Sequence, residues 1–320
     1  MSTQLEAAIE YKIRVKSASE HLYEVEMSVS LPANSENIRN SVVVSLPSWI
    51  PGSYMIRDFS RNLHCLQTSD SNISLTQLDK QQWELNSQNK TALNTFKLNY
   101  VIYAYDLSVR SAFINDEYAF FNGTSVFLCV QDFEYLPHKV FISPEQDILA
   151  NKVVTALPIR NSEDRSYIVS DYFELIDHPV IIGKYNDYSF KVKGHCFHLV
   201  FTGSHKFDFT RIAKDLTPII EHHIALFGDF PCKEYWFMTL VCDQGFGGLE
   251  HVASTVLQYS RFDLPVIGDS KLINKDSENG MHANVVNSHD GTDKPWKIII
   301  TLEDTGDDAK ADFPDLYLVD

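Results

Sequence analysis

A strict alternation of apolar and polar residues near the start of the chain constrains its fold more than any other feature. Tyr23, Val25, Met27, Val29 and Leu31 alternate with glutamate and serine, which is the two-residue period of a strand with one buried face. Further runs that resemble strands, with polar residues, glycine or proline between them, are residues 42–46, 96–105 and 125–130. Short strands separated by turns predict a mainly β domain, an antiparallel sandwich, over residues 8–170.

The pattern changes in the second half of the chain. After two more strand-like runs at 185–188 and 196–202, six side chains share one helical face, with Thr210 as the predicted N-cap and Gly228 as the C-terminal stop. These six are Ile212, Leu216, Ile219, Ile220, His223 and Phe227. A strand over 235–242 follows. Residues 171–276 are therefore predicted to open an α+β domain.

The last part of the chain is acidic. Residues 266–320 contain 12 Asp or Glu against 5 Lys, and little apolar periodicity is present from Ser277 to Lys294. A strand is predicted over residues 296–302, and the rest of 277–320 is expected to be a largely solvated, divergent tail.

Charge and cysteine usage limit the class of protein. A net charge of −16 argues against nucleic-acid binding, which requires a basic surface. No apolar run reaches the roughly 20 residues that span a bilayer, and the first residues do not resemble a signal peptide. The five cysteines are scattered and never form Cys-x-x-Cys, so we expect reduced thiols in a cytoplasmic protein that binds neither nucleic acid nor membrane.

The segment Gly245–His251 is the most suggestive candidate site. Its glycines would let the backbone approach a ligand closely, and its carboxylate could bind an ammonium group, although a tight turn after a core strand would give the same pattern. Standard signatures of metal or serine chemistry are absent, since the sequence contains neither His-Glu-x-x-His nor Gly-x-Ser-x-Gly. Cys196 and His198 would share a strand face, where ordinary packing explains them best.

A second unusual cluster contains Trp49, Pro51, Gly52, Arg57 and Arg61. From the residues alone, it is best interpreted as a proline–glycine turn at a sandwich edge, with Arg57 and Arg61 paired to nearby carboxylates.

Several segments in order along the chain resemble one family. They are residues 48–61, 110–113, 121–128, 177–183, 224–228 and 247–251, and the similarity extends over about residues 8–276. Together they resemble the glycyl aminopeptidases, zinc metallopeptidases that usually carry a PDZ domain. The resemblance implies an N-terminal β domain followed by the opening of a thermolysin-like catalytic domain. It also implies that Glu250 receives the α-amine of a peptide, while Gly247 and Gly248 let the backbone run beside that substrate.

The sequence departs from this family after Asp276. There the family carries His-Glu-x-x-His, which supplies two zinc ligands and the general base, and this chain continues instead into Ser277 and the acidic tail. We therefore expect a truncated or divergent member without zinc, catalytic residues or hydrolysis. One alternative is a non-catalytic β module that binds peptide N-termini or a partner. Another is an active aminopeptidase with atypical zinc ligands such as His251, His282 and His289.

Overall fold

The computed structural model describes residues 8–32, 39–53, 55–143, 152–163, 165–203, 206–265 and 267, and the backbone of 282–284 and 301–303. The first fifteen strands, in chain order, are β1 Ile9–Ser17, β2 Leu22–Ser30, β3 Ser41–Ser45, β4 Leu63–Gln67, β5 Ile73–Gln77, β6 Gln82–Ser87, β7 Thr95–Tyr103, β8 Ala112–Ile114, β9 Tyr118–Phe121, β10 Cys129–Val130, β11 His138–Ser143, β12 Val153–Thr155, β13 Ile159–Asn161, β14 Ser166–Val169 and β15 Val180–Gly183.

The remaining strands are β16 Tyr185–Val192, β17 His195–Thr202, β18 Glu234–Cys242, β19 Gly247–Glu250, β20 Ser254–Ser260, β21 His282–Asn284 and β22 Thr301–Glu303. The α-helices are α1 Tyr172–Ile176 and α2 Phe209–Phe227, and short 3₁₀ turns lie at Phe59–Asn62 and Gly123–Ser125. The fold is thus mainly β, as the sequence predicts. No helix among the described residues is long and apolar enough to cross a membrane.

The N-terminal part consists of three sheets packed around one core. Their strand orders are β13-β14-β11-β1-β2-β7-β4, β10-β3-β6-β5 and β12-β15-β9-β8. The alternation predicted for β2 is confirmed, because Tyr23, Val25, Met27 and Val29 are buried. On its other face, Glu26 pairs with Lys12 at 3.1 Å. One pairing departs from the antiparallel prediction: β1 and β11 run parallel, since β11 enters the sheet after a long excursion through β8–β10.

The strand predicted over residues 125–130 is wrong for most of its length. Only Cys129 and Val130 form a strand, β10, after the 3₁₀ turn at Gly123–Ser125. Three buried tyrosine hydroxyls donate to the carbonyls between these two elements, and those carbonyls therefore need no strand partner. The donors are Tyr100 to Val126 O (2.8 Å), Tyr172 to Phe127 O (2.7 Å) and Tyr11 to Leu128 O (2.6 Å).

The fourth sheet, ordered β16-β17-β18-β20-β19, has two buried faces. Val200, Met238, Leu249 and Val256 on one face join the core of the N-terminal part. Phe197, Leu199, Tyr235 and Phe237 on the other face pack with α2 in a second core, whose helical members include Ile212, Leu216 and Ile220. The sheet therefore fixes α2 and the N-terminal core on opposite sides of β19.

Helix α2 is present where the sequence predicts it, but its N-cap is not Thr210. Asp208 caps the helix, and its Oδ1 accepts from Arg211 N at 3.1 Å, so the helix begins two residues earlier than predicted. Gly228 follows the last helical residue with φ 92°, in the left-handed region that glycine tolerates at a helix end.

The predicted boundaries at residues 170 and 276 stay predictions. Most of 277–320 lies outside the described residues, as does most of the strand predicted over 296–302, of which Thr301 and Leu302 are in β22.

Candidate functional site

Strand β19 lies at one end of the fourth sheet. It pairs only with β20 among the described residues, in antiparallel register, with Gly247 opposite Gln258 and Glu250 opposite Thr255. The backbone groups along the outer side of such an edge strand can pair with an extended peptide.

The two faces of β19 have different roles. Leu249 is fully buried in the N-terminal core, and a Cβ placed on Gly247 would lie 3.6 Å from Val109. Gly248 and Glu250 point to the opposite face, since a Cβ on Gly248 would lie 3.6 Å from Glu250 Oε1. The structure therefore places the three predicted site residues on one short strand, with the carboxylate of Glu250 folded back over Gly248.

Tyr235 lies on the same face as Glu250. Burial raises the pKa of its phenol well above the usual range, and the charge of Glu250 adds to this increase. Its hydroxyl is buried and has no hydrogen-bond partner among the described residues. The Glu250 side chain therefore lies close to the buried second core.

A half-buried carboxylate fixes the chain directly after Glu250. Asp177, the residue that follows α1, lies with Oδ1 3.0 Å from His251 Nδ1 and accepts from Val252 N at 3.0 Å through Oδ2. The side chain of His251 is only 2% exposed. Asp177 thus joins the N-terminal part to the strand end that carries Glu250.

Helix α1 is itself held by a close backbone approach at Gly123. A Cβ on Gly123 would lie 2.7 Å from Ile176 Cα, so only glycine lets the end of α1 lie this close. The neighbouring Asn122 is fully buried and donates from Nδ2 to Val109 O at 2.9 Å. One short segment therefore positions both α1 and the loop that contacts Gly247.

Two arginines lie beside β19. Arg57 donates from Nε to Ser53 Oγ at 3.1 Å, and the turn that carries Ser53 contacts β19, since a Cβ on Gly52 would lie 3.0 Å from Leu249 Cδ1. Burial lowers the pKa of the half-buried Arg110 guanidinium, as does the neighbouring charge of Arg57, whereas Glu250 raises that pKa. The charge of Arg110 therefore interacts with those of both Arg57 and Glu250.

The ion pairs expected for Arg57 and Arg61 are not found. Within the described ranges neither arginine lies within 4.0 Å of a carboxylate oxygen, and Lys80 pairs with Asp58 instead, at 2.8 Å. Asp58 has φ 49°, so the loop turns sharply at that residue. Arg57 therefore lies on the side of the loop that carries Ser53. That side of the loop contacts β19.

Three further histidines were candidates for a metal site: His198, His282 and His289. His198 stacks on Trp236 with ring centroids 3.9 Å apart, and its Nδ1 lies 2.8 Å from Ser189 Oγ, as expected for packing. No group of three or more His, Cys, Asp or Glu that could hold a metal ion occurs within the described part of the chain. The side chains of His282 and His289 lie outside the described residues.

Sequence reasoning missed Arg110, Asp177 and Tyr235 as parts of this site. Two of them stand inside segments that carry the family resemblance, namely 110–113 and 177–183, and that resemblance was the available signal. Nothing in their spacing places them near Glu250.

The chain is similar to one family of known sequence and to several solved structures. Residues 10–184 match the family described as the peptidase M61 N-terminal domain. The crystal structure of an aminopeptidase N family protein from Idiomarina loihiensis is 34% identical, with a TM-score of 0.74, over 81% of this chain and 43% of that protein. The chain therefore spans less than half of that relative's length.

More distant structures share little sequence with the chain. The M1 zinc metallopeptidase from Deinococcus radiodurans is 10% identical, with a TM-score of 0.45, over 78% of this chain and 59% of that protein. The yeast LTA4 hydrolase is 12% identical, with a TM-score of 0.46, over 78% and 40%. No curated protein sequence matches the chain.

Proposed function

This chain belongs to the peptidase M61 family, and we propose on that premise that its fourth sheet recognises the free amino terminus of a peptide. Glu250 receives the α-ammonium group, and the backbone of Gly247 and Gly248 runs beside the substrate. One observation carries this proposal: Glu250 ends an edge strand, and its carboxylate lies over the glycine next to which a peptide would pair.

The chemistry of this arrangement fits the recognition of a chain end. An ammonium group on a carboxylate is a charge-assisted hydrogen bond, which is stronger than a neutral one. Glu250 is half-buried and lies near the second core, so its charge is screened less than that of a surface glutamate. A strand edge supplies the backbone register, and the carboxylate at its end fixes where the peptide begins.

We propose that residues 171–276 open a thermolysin-like catalytic domain, and that the protein works in the cytoplasm on peptides rather than on nucleic acids or membranes. The described residues do not fit a zinc site, because no three His, Cys, Asp or Glu side chains among them come together.

Binding of a small peptide tests the amine site. We expect the 320-residue chain to bind triglycine in isothermal titration calorimetry and to bind N-acetyl-triglycine at least about tenfold more weakly, since acetylation removes the ammonium charge. Glu250→Gln should weaken triglycine binding by a similar factor. Glu221→Gln, which removes the same charge from an exposed position on α2, should leave binding unchanged. Equal affinity for both peptides would overturn the proposal.

Hydrolysis is a separate measurement. Because the sequence contains no His-Glu-x-x-His, we expect this chain to bind glycyl substrates without cleaving them. Elemental analysis after dialysis should give no stoichiometric zinc. About one zinc per chain, together with chelator-sensitive release of p-nitroaniline from glycyl-p-nitroanilide, would establish an active enzyme with atypical ligands.

A further inference from the structure

Arg57 is held next to β19 by a closed loop. The amide groups of Arg57 and Asp58 both donate to Ser48 O, at 2.7 and 3.1 Å, and Arg57 Nε donates to Ser53 Oγ. Ser53 is buried, and the preceding Gly52 lies against Leu249 of β19. The guanidinium of Arg57 is therefore fixed at its Nε, while its two terminal nitrogens make no hydrogen bond within the described residues.

Arg110 reaches the same strand from another loop. It follows Val109, whose side chain contacts Gly247 and whose carbonyl is held by the buried Asn122. The guanidinium of Arg110 makes no hydrogen bond, and no ion pair within 4.0 Å, with any described residue. It is nevertheless half-buried, and a half-buried cation without a hydrogen-bonded anion is unfavourable.

The described charges at this place do not balance. The guanidinium of Arg110 lies near enough to both the guanidinium of Arg57 and the carboxylate of Glu250 to be affected by each charge, so the described residues supply two cations and one anion here. If Glu250 binds the ammonium group of a peptide, its negative charge is taken up, and among the described residues both arginines are left without an anion. A guanidinium fork matches a carboxylate in two parallel hydrogen bonds, so a carboxylate on the same ligand is the group that would balance the site.

We infer that Arg57 and Arg110 form a carboxylate-binding subsite beside Glu250, so that the site favours peptides whose carboxylate lies close to their free amine. This inference depends on the proposed function only in taking Glu250 as the group that binds the ammonium group of the ligand. The carboxylate has two possible sources, the side chain of an N-terminal aspartate or glutamate and the C-terminus of a dipeptide.

Four probes in calorimetric titration of the 320-residue chain separate these sources. Aspartyl-glycinamide against asparaginyl-glycinamide tests the side chain, and glycylglycine against glycylglycinamide tests the C-terminus. In at least one pair, the carboxylate-bearing member should bind about tenfold or more tightly, as expected for a hydrogen-bonded charge pair. The preference should shrink as salt is added, because the site is partly open to solvent.

Arginine variants assign the preference to this subsite. Arg57→Gln and Arg110→Gln should each reduce it about fivefold or more, and Arg110→Lys should retain part of it because it keeps the charge but loses the fork. Arg61→Gln is the matched control, since Arg61 is exposed and lies on the same segment as Arg57. The ratio of affinities within each pair should be unchanged in Arg61→Gln, whose binding of the amide probes should also match that of the wild type.

The outcomes separate this inference from the proposed function. Equal binding within both pairs, with acetylation still abolishing binding, would overturn the carboxylate subsite and leave the amine site standing. A carboxylate preference that survives in both glutamine variants would also overturn it. Loss of the amine requirement alone would count against Glu250 and not against the arginines. Thermal unfolding of each variant shows whether weaker binding reflects loss of the fold. If a glutamine variant does not fold, the carboxylate preference is measured on the lysine variant of the same arginine instead.

Discussion

Asp177 and His251 are 74 residues apart in sequence, yet Asp177 Oδ1 lies 3.0 Å from His251 Nδ1 in the interior. The same carboxylate accepts from Val252 N, so it fixes both backbone and side chain immediately after Glu250. The contact joins the end of α1 in the N-terminal part to the end of β19 in the fourth sheet. The position of Glu250 therefore depends on a residue from the other part of the molecule.

Removing this carboxylate should loosen the site. Asp177→Ala leaves the buried His251 ring and Val252 N–H without their acceptor, which we expect to cost about 1–3 kcal/mol in urea unfolding. Triglycine binding should weaken as well, because the end of β19 is released. Asp215→Ala, at an exposed position on α2 beside Arg211, should change stability by less than about 0.5 kcal/mol. An Asp177→Ala protein with wild-type stability and affinity would contradict this role.

Two glycine substitutions should separate packing from ligand approach. Gly123→Ala places a methyl group 2.7 Å from Ile176 Cα, where backbone must move, and should cost about 1–3 kcal/mol. At Gly248 a methyl group meets its nearest atoms, Glu250 Oε1 and Leu257 Cδ2, at 3.6 and 3.7 Å, which are ordinary contacts. Gly248→Ala should therefore fold normally but bind triglycine more weakly, because the methyl group projects from the same face as the Glu250 carboxylate. Thermal unfolding and calorimetry measure the two effects.

The stability of the fold should fall in mild acid because of His138. Burial lowers the pKa of this histidine from 6.5 to about 4, and its ring stacks on Tyr11 with centroids 6.0 Å apart. Above pH 6.5 the ring is neutral in both states. Between pH 6.5 and 4 only the unfolded chain takes up the proton, so stability falls as the pH falls, by up to about 3 kcal/mol.

Urea unfolding at several pH values checks this dependence. His138→Phe, which keeps a ring against Tyr11, should flatten the loss between pH 6.5 and 4, although His178, whose pKa burial also lowers, retains part of it. His222→Phe, at an exposed position on α2, should leave the pH profile unchanged. An unaltered profile in the His138→Phe protein would show that this ring does not set the dependence.

The five cysteines should differ in their reactivity. Cys65 is exposed and Cys129 is buried, and burial, with a further contribution from Glu134, raises the pKa of the Cys129 thiol to about 12. At pH 8 only about one part in ten thousand of that thiol is thiolate. With a disulfide reagent we expect Cys65 to react first and Cys129 only on unfolding. The fastest phase should disappear in Cys65→Ser, and its persistence there would contradict the assignment.

Local pattern was sufficient for the regular elements. The alternation from Tyr23 to Leu31 predicted β2, and the apolar face from Ile212 to Phe227 predicted α2, because strand and helix periods are properties of neighbouring residues. It failed where backbone groups are paired by distant side chains. The sequence of the segment from Val126 to Leu128 predicts a strand. In the structure its carbonyls instead accept hydrogen bonds from the hydroxyls of three tyrosines remote in sequence.

The sequence by itself determined the strand and helix periods, the lack of His-Glu-x-x-His and the segments that resemble the family, Glu250 among them. Only the tertiary structure decided that the segments carrying Arg57, Arg110 and Asp177 meet at β19 and the residues directly after it. Each of these side chains is brought there by a close contact between segments far apart in the chain, such as Gly52 with Leu249 and Gly123 with Ile176. Such contacts depend on how sheets and loops pack in three dimensions, and no period or spacing along the sequence encodes them.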